Sequence, residues 1–271
     1  MGRKANRAVS GLLAIALAAS GLPGAAKFAS AEAVAYPELM ITEIVFNSVN
    51  YSAVVKDGNT VGDVNAWEYV EIYNSGSAPV SLGDYYIYRE NYNSGTNYKW
   101  PIQVGKTIQP GQTVVVRGVS KDVKGGTGNA VPVDDAVING LDLFNTAYGT
   151  SLSEDQVATM DQSGGGNLPN TGTYTVSVRR ASDDAAIVSA RYNDAAINST
   201  ENGDDSNGKG VTYAYDPAGG AAMKKLAAKQ APTPGSLLDG QVPPASVPGP
   251  DPEPTQSPEP TASPEPTASP E

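Results

Sequence analysis

"WEYVEIYNSGSAPVSLGDYYIY" (residues 67–88) is the stretch that decides the fold of this chain. Val70 and Ile72 are two positions apart, so in a β-strand both side chains lie on one face. Glu71 lies on the opposite face, and we predict that it is exposed. Glu68 shares the apolar face at the start of the strand, where we expect a structural hydrogen bond. The segment NSGSAP is rich in turn formers and predicts a turn into a second strand, VSLGDYYIY.

The same pattern of short strands recurs along residues 36–240. Runs of β-branched and aromatic residues alternate with Gly, Asn, Asp and Pro, as is typical of all-β proteins. QPGQ (109–112) fits a type II turn, and SDDA (182–185) fits a hairpin loop. We predict seven strands: Leu39–Phe46, Glu68–Tyr73, Tyr85–Arg89, Thr113–Arg117, Tyr174–Arg179, Ile187–Tyr192 and Val211–Tyr215.

One short helix is predicted within this all-β pattern. Leu141, Phe144 and Tyr148 fall on one helical face. Asp142 is placed to cap the start of the helix, and Gly149 is placed to end it. Together these elements predict an antiparallel β-sandwich, or a partly closed barrel, with long loops.

The N-terminus has the features of a secretory signal peptide. Basic residues precede an apolar run, Gly11–Ala19, that is too short to span a bilayer, and small residues follow it. We expect cleavage near Ala31 or Ala33, with a retained membrane anchor as the alternative. Residues 1–31 are therefore predicted to be a signal peptide. The mature protein is predicted to be secreted and extracellular, with association to the cell surface left open and no membrane insertion.

Composition excludes several classes of function. The chain has no histidine and no cysteine, which excludes Ser-His-Asp and Cys-His catalysis, the usual zinc sites and disulfides. Removal of residues 1–31 takes 4 of the 18 basic residues and leaves 14 against 29 acidic ones, a net charge of −15. No basic cluster is present, so we expect no nucleic-acid partner. We also expect a monomer.

The acidic residues of the strands invite a catalytic interpretation. A glycosidase needs two carboxyl groups about 5–10 Å apart across a cleft, and nothing in the spacing of Glu43, Glu68 and Glu71 requires that arrangement. The alternatives are a solvated strand face, edge hydrogen bonding or metal ligation. We predict no catalytic residues and no enzyme activity.

Calcium is the one cofactor that the sequence leaves open, in a structural role. Asp204 and Asp205 lie in STENGDDSNGKG (199–210), which offers hard oxygen ligands on a glycine-flanked loop. The loop lacks the regular acidic alternation of an EF-hand, so a plain surface loop is the alternative. VDDAVINGLD (133–142) carries a similar acidic cluster with the same two interpretations.

Aromatic residues are concentrated in YYIYRENYNSGTNYKWP (85–101). Exposed rings on a sheet can stack against sugars or a partner surface. We predict ligand binding by Tyr86, Tyr88, Tyr98 and Trp100. The alternative is that alternate residues of ordinary strands are buried here.

The order of five motifs resembles that of a lamin tail domain: LMITEIVFNS (39–48), the opening stretch, WPI (100–102), TIQPGQTVVV (107–116) and APTPGSL (231–237). The resemblance implies an immunoglobulin-like β-sandwich that acts as a binding or scaffolding module without catalytic residues. It covers about residues 36–240, and residues 118–190 exceed the compact form of the family as an insertion.

Further segments, LFNTAYGTSLSEDQV (143–157) and GKGVTYAY (208–215), resemble the secreted bacterial subtype. That domain often precedes a calcineurin-like metallophosphoesterase or another hydrolase. Such an enzyme needs several histidines, which this chain lacks, so only the fold and the accessory role are transferred. Residues 241–271 follow as a Pro/Glu/Thr/Ser-rich linker with PEPTQS and PEPTAS repeats. We expect either a truncated form of a longer protein or a domain held on a tether.

The predicted function is a secreted, non-enzymatic module for binding, adhesion or targeting. Its partner is an unknown protein or a cell-surface glycan. The alternatives are a carbohydrate- or cell-wall-binding module that uses the aromatic cluster, and an accessory domain of a secreted hydrolase.

Overall fold

The computed structural model describes the folded part of the chain and leaves several segments out. The described residues are 34–48, 55–56, 59–60, 67–92, 95–119, 140–162, 166–194, 204 and 208–244. The predicted signal peptide, Asp205, residues 133–139 and the repeats of the linker lie outside them.

Fourteen strands and one α-helix are found among the described residues. The helix, α1, spans Leu141–Tyr148. No helix there is long and apolar enough to cross a membrane. The strands, in chain order, are β1 (Leu39–Asn47), β2 (Val55–Lys56), β3 (Asn59–Thr60), β4 (Tyr69–Asn74), β5 (Val80–Ser81), β6 (Tyr85–Asn91), β7 (Tyr98–Pro101), β8 (Thr107–Ile108), β9 (Thr113–Val119), β10 (Val157–Asp161), β11 (Tyr174–Arg180), β12 (Ala186–Tyr192), β13 (Lys209–Ala214) and β14 (Lys224–Gln230).

Two sheets form the sandwich. The larger sheet has the order β10-β9-β4-β1-β13-β14, and the smaller has the order β12-β11-β6-β7. All neighbours in both sheets are antiparallel except β9 and β10, which are parallel. A parallel pair needs a crossover connection, and α1 lies in the one between β9 and β10. The predicted antiparallel β-sandwich is confirmed, with this one parallel pair at its edge.

All seven predicted strands are present, each within two residues of its predicted ends. The longer strands that the sequence did not reveal are β7, β10 and β14. β14 reads KKLAAKQ, and Lys and Ala are poor strand formers. β7 ends in proline, which is confined to edge or terminal strand positions. All three lie at the edges of their sheets, where the sequence pattern is weakest.

The predicted turn at residues 109–112, the hairpin loop at residues 182–185 and the helix end are confirmed. The Arg180 amide closes the hairpin loop by donating to the Ala185 carbonyl at 2.9 Å. Gly111 has a φ of 74°, and the Gln112 amide donates to the Gln109 carbonyl at 3.0 Å. Gly149 ends α1 in the left-handed region. The predicted helix start is wrong: the N-cap residue is Gly140, and Asp142 lies inside the first turn without capping it. A carboxylate at that position still favours the helix dipole.

The apolar residues form two clusters on opposite sides of the larger sheet. The larger cluster lies between the two sheets and includes Ile44, Val70, Ile72 and Trp100. The second lies on the outer side of the larger sheet, under α1, and consists of Val45, Trp67, Tyr69, Val115, Phe144, Leu152 and Val157. β4 is therefore buried on both faces.

Candidate functional site

Glu43 and Glu71 lie opposite each other on β1 and β4, on the outer face of the larger sheet. Both are 0% exposed, so the prediction that Glu71 faces solvent is wrong. Its assignment to the face opposite Val70 and Ile72 is correct. That face is covered by α1 and by residues 231–241, which come from distant parts of the sequence.

Both carboxyl groups are held by hydrogen bonds. The Tyr69 hydroxyl donates to Glu43, and the Thr233 amide donates to Glu43 Oε2 at 3.1 Å. The Thr42 hydroxyl donates to Glu71 Oε1 at 2.6 Å, and the Gly235 amide donates to Glu71 Oε2 at 2.6 Å. The two glutamates thus bind the backbone of the Thr-Pro-Gly turn to the sheet.

Position 235 in this turn favours glycine because of its backbone conformation. Gly235 has a φ of 82°, a region that residues with a side chain rarely adopt. A Cβ at that position would also push the end of the Leu152 side chain aside. The Gln241 side chain also binds this segment to the sheet, because its Nε2 donates to the Thr42 carbonyl at 2.7 Å. Residues 241–243, which follow the predicted end of the domain at residue 240, are also buried.

The electrostatics of the pair follow from its burial. Burial raises the pKa of Glu43 to about 7. Burial, and secondly the charge of Glu43, raise the pKa of Glu71 to about 8. Perturbed carboxyl groups can indicate an active site, but a general acid must reach its substrate. These two are enclosed by protein and bonded to the turn, so their arrangement is structural.

Glu68 has the role that was expected for it. It is 2% exposed, and its Oε2 accepts a hydrogen bond from the Leu168 amide at 2.9 Å. The bond joins the start of β4 to a segment 100 residues away. The predicted structural hydrogen bond is confirmed.

The four aromatic residues predicted to bind a ligand do not form one surface. Trp100 and Tyr98 lie on the inner face of the smaller sheet, where Trp100 is 1% exposed. The Arg89 guanidinium, also buried, lies 4.4 Å from the Tyr98 ring centre and 5.7 Å from that of Trp100. A Cβ at Gly166 would lie 2.8 Å from the Tyr98 ring, so residue 166 packs against the ring. Trp100 belongs to the core, so its predicted exposure is wrong, whereas Tyr98 is partly buried and packs against that core. Ligand binding by these two residues stays a prediction.

Tyr86 and Tyr88 lie on the outer face of the smaller sheet, and each carries a cation above its ring. Lys99 Nζ lies 3.8 Å from the ring centre of Tyr86, and Arg179 Cζ lies 4.2 Å from that of Tyr88. Tyr86 is nevertheless 2% exposed, and its hydroxyl donates to Asp184. Ligand binding by these two tyrosines stays a prediction.

A third pair of this kind continues the same face. Arg191 Cζ lies 4.6 Å from the ring centre of Tyr92, which is 51% exposed. We call the three pairs, Lys99–Tyr86, Arg179–Tyr88 and Arg191–Tyr92, the tyrosine–cation face. The sequence placed Tyr92 in an aromatic run, but Arg191 is 99 positions away and gave no signal that it would cover that ring.

Asp204 is buried and links the residue that follows β12, Asn193, to Lys225 in β14. Its Oδ2 accepts a hydrogen bond from the Asn193 amide at 2.7 Å and pairs with Lys225 Nζ at 2.5 Å. The Asn193 side chain in turn accepts from the Asp204 amide at 2.8 Å. Among the described residues, no group of three acidic side chains could hold a metal ion. Asp205 is not described, so calcium binding stays a prediction.

Comparison with known proteins assigns the family. The lamin tail domain model matches residues 32–207, more than half of the chain. The chain is also similar to a solved structure, a DUF4876 family protein from Bacteroides thetaiotaomicron VPI-5482, at 12% identity over 72% of this chain and 69% of that one, with a TM-score of 0.30. No curated protein matches. Lamin tail domains are non-catalytic, immunoglobulin-like modules. The chain belongs to the lamin tail domain family.

Proposed function

We propose that this protein is a secreted, non-enzymatic module for binding, adhesion or targeting, carried on a proline-rich tether. The observation that supports this most directly is that the glutamates of its strands have structural roles. Glu43, Glu68 and Glu71 all accept hydrogen bonds from backbone amides of distant segments, so they serve the fold. With no histidine or cysteine in the chain, few groups remain for catalysis.

The binding surface that we propose is the tyrosine–cation face. Its cations are partly exposed, at 53% for Lys99 and 46% for Arg191. Asp184 and Asp194 pair with the three cations, so the face presents aromatic surface together with charges of both signs. Such a combination is typical of interfaces, in which aromatic residues and arginine are enriched.

A carbohydrate- or cell-wall-binding module is the second candidate. Tyr88, which is half-buried, and Tyr92, which is 51% exposed, support it, because exposed aromatic rings stack on the apolar faces of sugars. The role of accessory domain to a secreted hydrolase is compatible with either partner.

The test measures retention of the fluorescently labelled full chain on bacterial cells. We expect retention, with no turnover in phosphatase, nuclease and glycosidase panels that contain Ca²⁺, Mg²⁺ or Mn²⁺. Cells pretreated with protease lose retention if the partner is a protein. Cells pretreated with periodate, which cleaves vicinal diols, lose it if the partner is a glycan. Turnover of any substrate, or no retention on any cells, would contradict the proposed function.

A structural calcium site at Asp204 and Asp205 is a separate proposal. A ligand that binds only the native state raises the melting temperature. We therefore expect the melting temperature to rise on going from EDTA to millimolar Ca²⁺, and Asp204→Asn to reduce that rise. An equal melting temperature in the two buffers would rule the site out.

A further inference from the structure

We propose that the groove beside Tyr92 binds a single ring of a neutral sugar. This site rests on the proposed binding function and gives that function a ligand class and a location. The groove has a volume of about 270 Å³ and lies at the β12 side of the tyrosine–cation face. Tyr92, Arg191, Asp194 and Met223 are among its lining residues. Ligand pockets usually measure about 300–1,000 Å³, so a groove of this size suits one ring and not an extended chain.

Tyr92 is fixed in place although half of it is exposed. Its hydroxyl is bonded by Arg191 Nη2 at 2.9 Å and by the Thr175 hydroxyl at 2.9 Å. Its backbone amide donates to the Thr173 carbonyl. Among the described residues it is the one aromatic side chain among the large exposed apolar residues. Arg191 lies over one face of this ring, so a ligand stacks on the surface of the ring that stays exposed. An anchored ring loses little entropy when a ligand stacks on it.

Polar groups for sugar hydroxyls lie directly beside this ring. Arg191 Nη1 pairs with Asp194 Oδ2 at 3.2 Å. Arg191 uses two of its five N–H donors on Tyr92 and Asp194, and 46% of its side chain is exposed. A guanidinium and a carboxylate side by side offer a donor and an acceptor to neighbouring hydroxyls. Because Asp194 pairs with Arg191 and offsets its charge, the groove favours a neutral sugar over a carboxylated or sulfated one.

The far wall of the groove is rigid and apolar. The Met223 amide donates to the Ser189 carbonyl at 2.8 Å, and the Ser189 amide donates to the Ala221 carbonyl at 2.8 Å. These bonds fix residues 221–223 along the edge of β12. Ala222 and Met223 then supply the apolar side against which the second face of a sugar ring can pack.

The test uses the full chain on an array of neutral and anionic glycans, followed by titration of the best neutral oligosaccharide. We expect binding to a neutral glycan and a roughly tenfold or greater weakening in Tyr92→Ala, which removes the stacking surface. Tyr92→Phe keeps the ring but removes the hydroxyl that Arg191 and Thr175 hold, so its affinity is expected to lie between those of the wild type and Tyr92→Ala. Leu226→Ala is the matched control, since Leu226 is 47% exposed and lies on the other sheet.

The possible outcomes distinguish failure of the proposed sugar site from failure of the proposed binding function. If Tyr92→Ala binds the glycan as well as the wild type does, the groove is not the binding site, although the protein still binds a glycan. No glycan binding, or a preference for anionic glycans, also overturns the proposed sugar site. Retention on cells that persists after periodate treatment would then support the binding function with a protein partner. Melting temperatures of the variants show whether any loss reflects unfolding.

Discussion

The free energy of unfolding is expected to fall as the pH rises from about 5 to about 8. Glu43 and Glu71 have pKa values raised from 4.5 to about 7 and about 8 in the folded protein. In this range the native state holds more protons than the unfolded state, so stability decreases as pH increases. The stabilisation is complete below the unfolded pKa and is lost as the pH passes through the folded values. The total loss is on the order of a few kcal/mol.

Chemical denaturation at several pH values measures this loss, and Glu71→Gln tests its origin. A glutamine imitates the protonated carboxyl: its Nε2 can donate to the Thr42 hydroxyl while its Oε1 accepts from the Gly235 amide. We expect the variant to have a shallower slope and to be at least as stable as the wild type at pH 8.

Glu154→Gln is the control for this prediction, because the Glu154 side chain is 82% exposed. It is expected to leave the slope unchanged. Asp155, Asp184 and Asp216 have lowered pKa values, so they titrate below this range and do not contribute to the slope. A flat wild-type profile between pH 5 and 8, or an unchanged slope in Glu71→Gln, would show that the pair is not the source.

The sequence predicted the face of Glu71 correctly but not its burial. A period of two depends only on neighbouring positions, and it placed Glu71 opposite Val70 and Ile72. Burial depends on what covers that face, and the cover comes from α1 and from the Thr-Pro-Gly turn 164 positions away. The turn motif and the glutamates were both visible in the sequence, yet nothing there indicated that one binds the other.

The aromatic cluster shows the same limit. Tyr86, Tyr88, Tyr98 and Trp100 were grouped because they are close in sequence. Their separation onto two faces follows from the pairing of β6 with β7, in which Ile87 lies opposite Trp100. β7 was not predicted, because a four-residue strand that ends in proline has almost no pattern of its own. The groove partner of Tyr92, Arg191, became apparent only through the fold.

Trp100→Ala is expected to lower the free energy of unfolding by about 3–5 kcal/mol, the usual cost of removing a large buried aromatic side chain. Trp100 is 1% exposed, lies in the cluster between the sheets and stacks on Tyr98 with 6.1 Å between ring centres. Its removal leaves a cavity that the sandwich cannot close easily. It also takes away one of the rings that contact the buried guanidinium of Arg89.

Tyr88→Ala is the matched comparison, because Tyr88 lies on the tyrosine–cation face and is only half-buried. We expect its cost to be well below that of Trp100→Ala in the same denaturation experiment. The stabilities of the two variants decide how a loss of glycan binding in Trp100→Ala is interpreted. If Trp100→Ala loses retention together with stability, the loss reflects the core. If Trp100→Ala keeps wild-type stability and still loses retention, Trp100 is a ligand-binding residue and its assignment to the core is wrong.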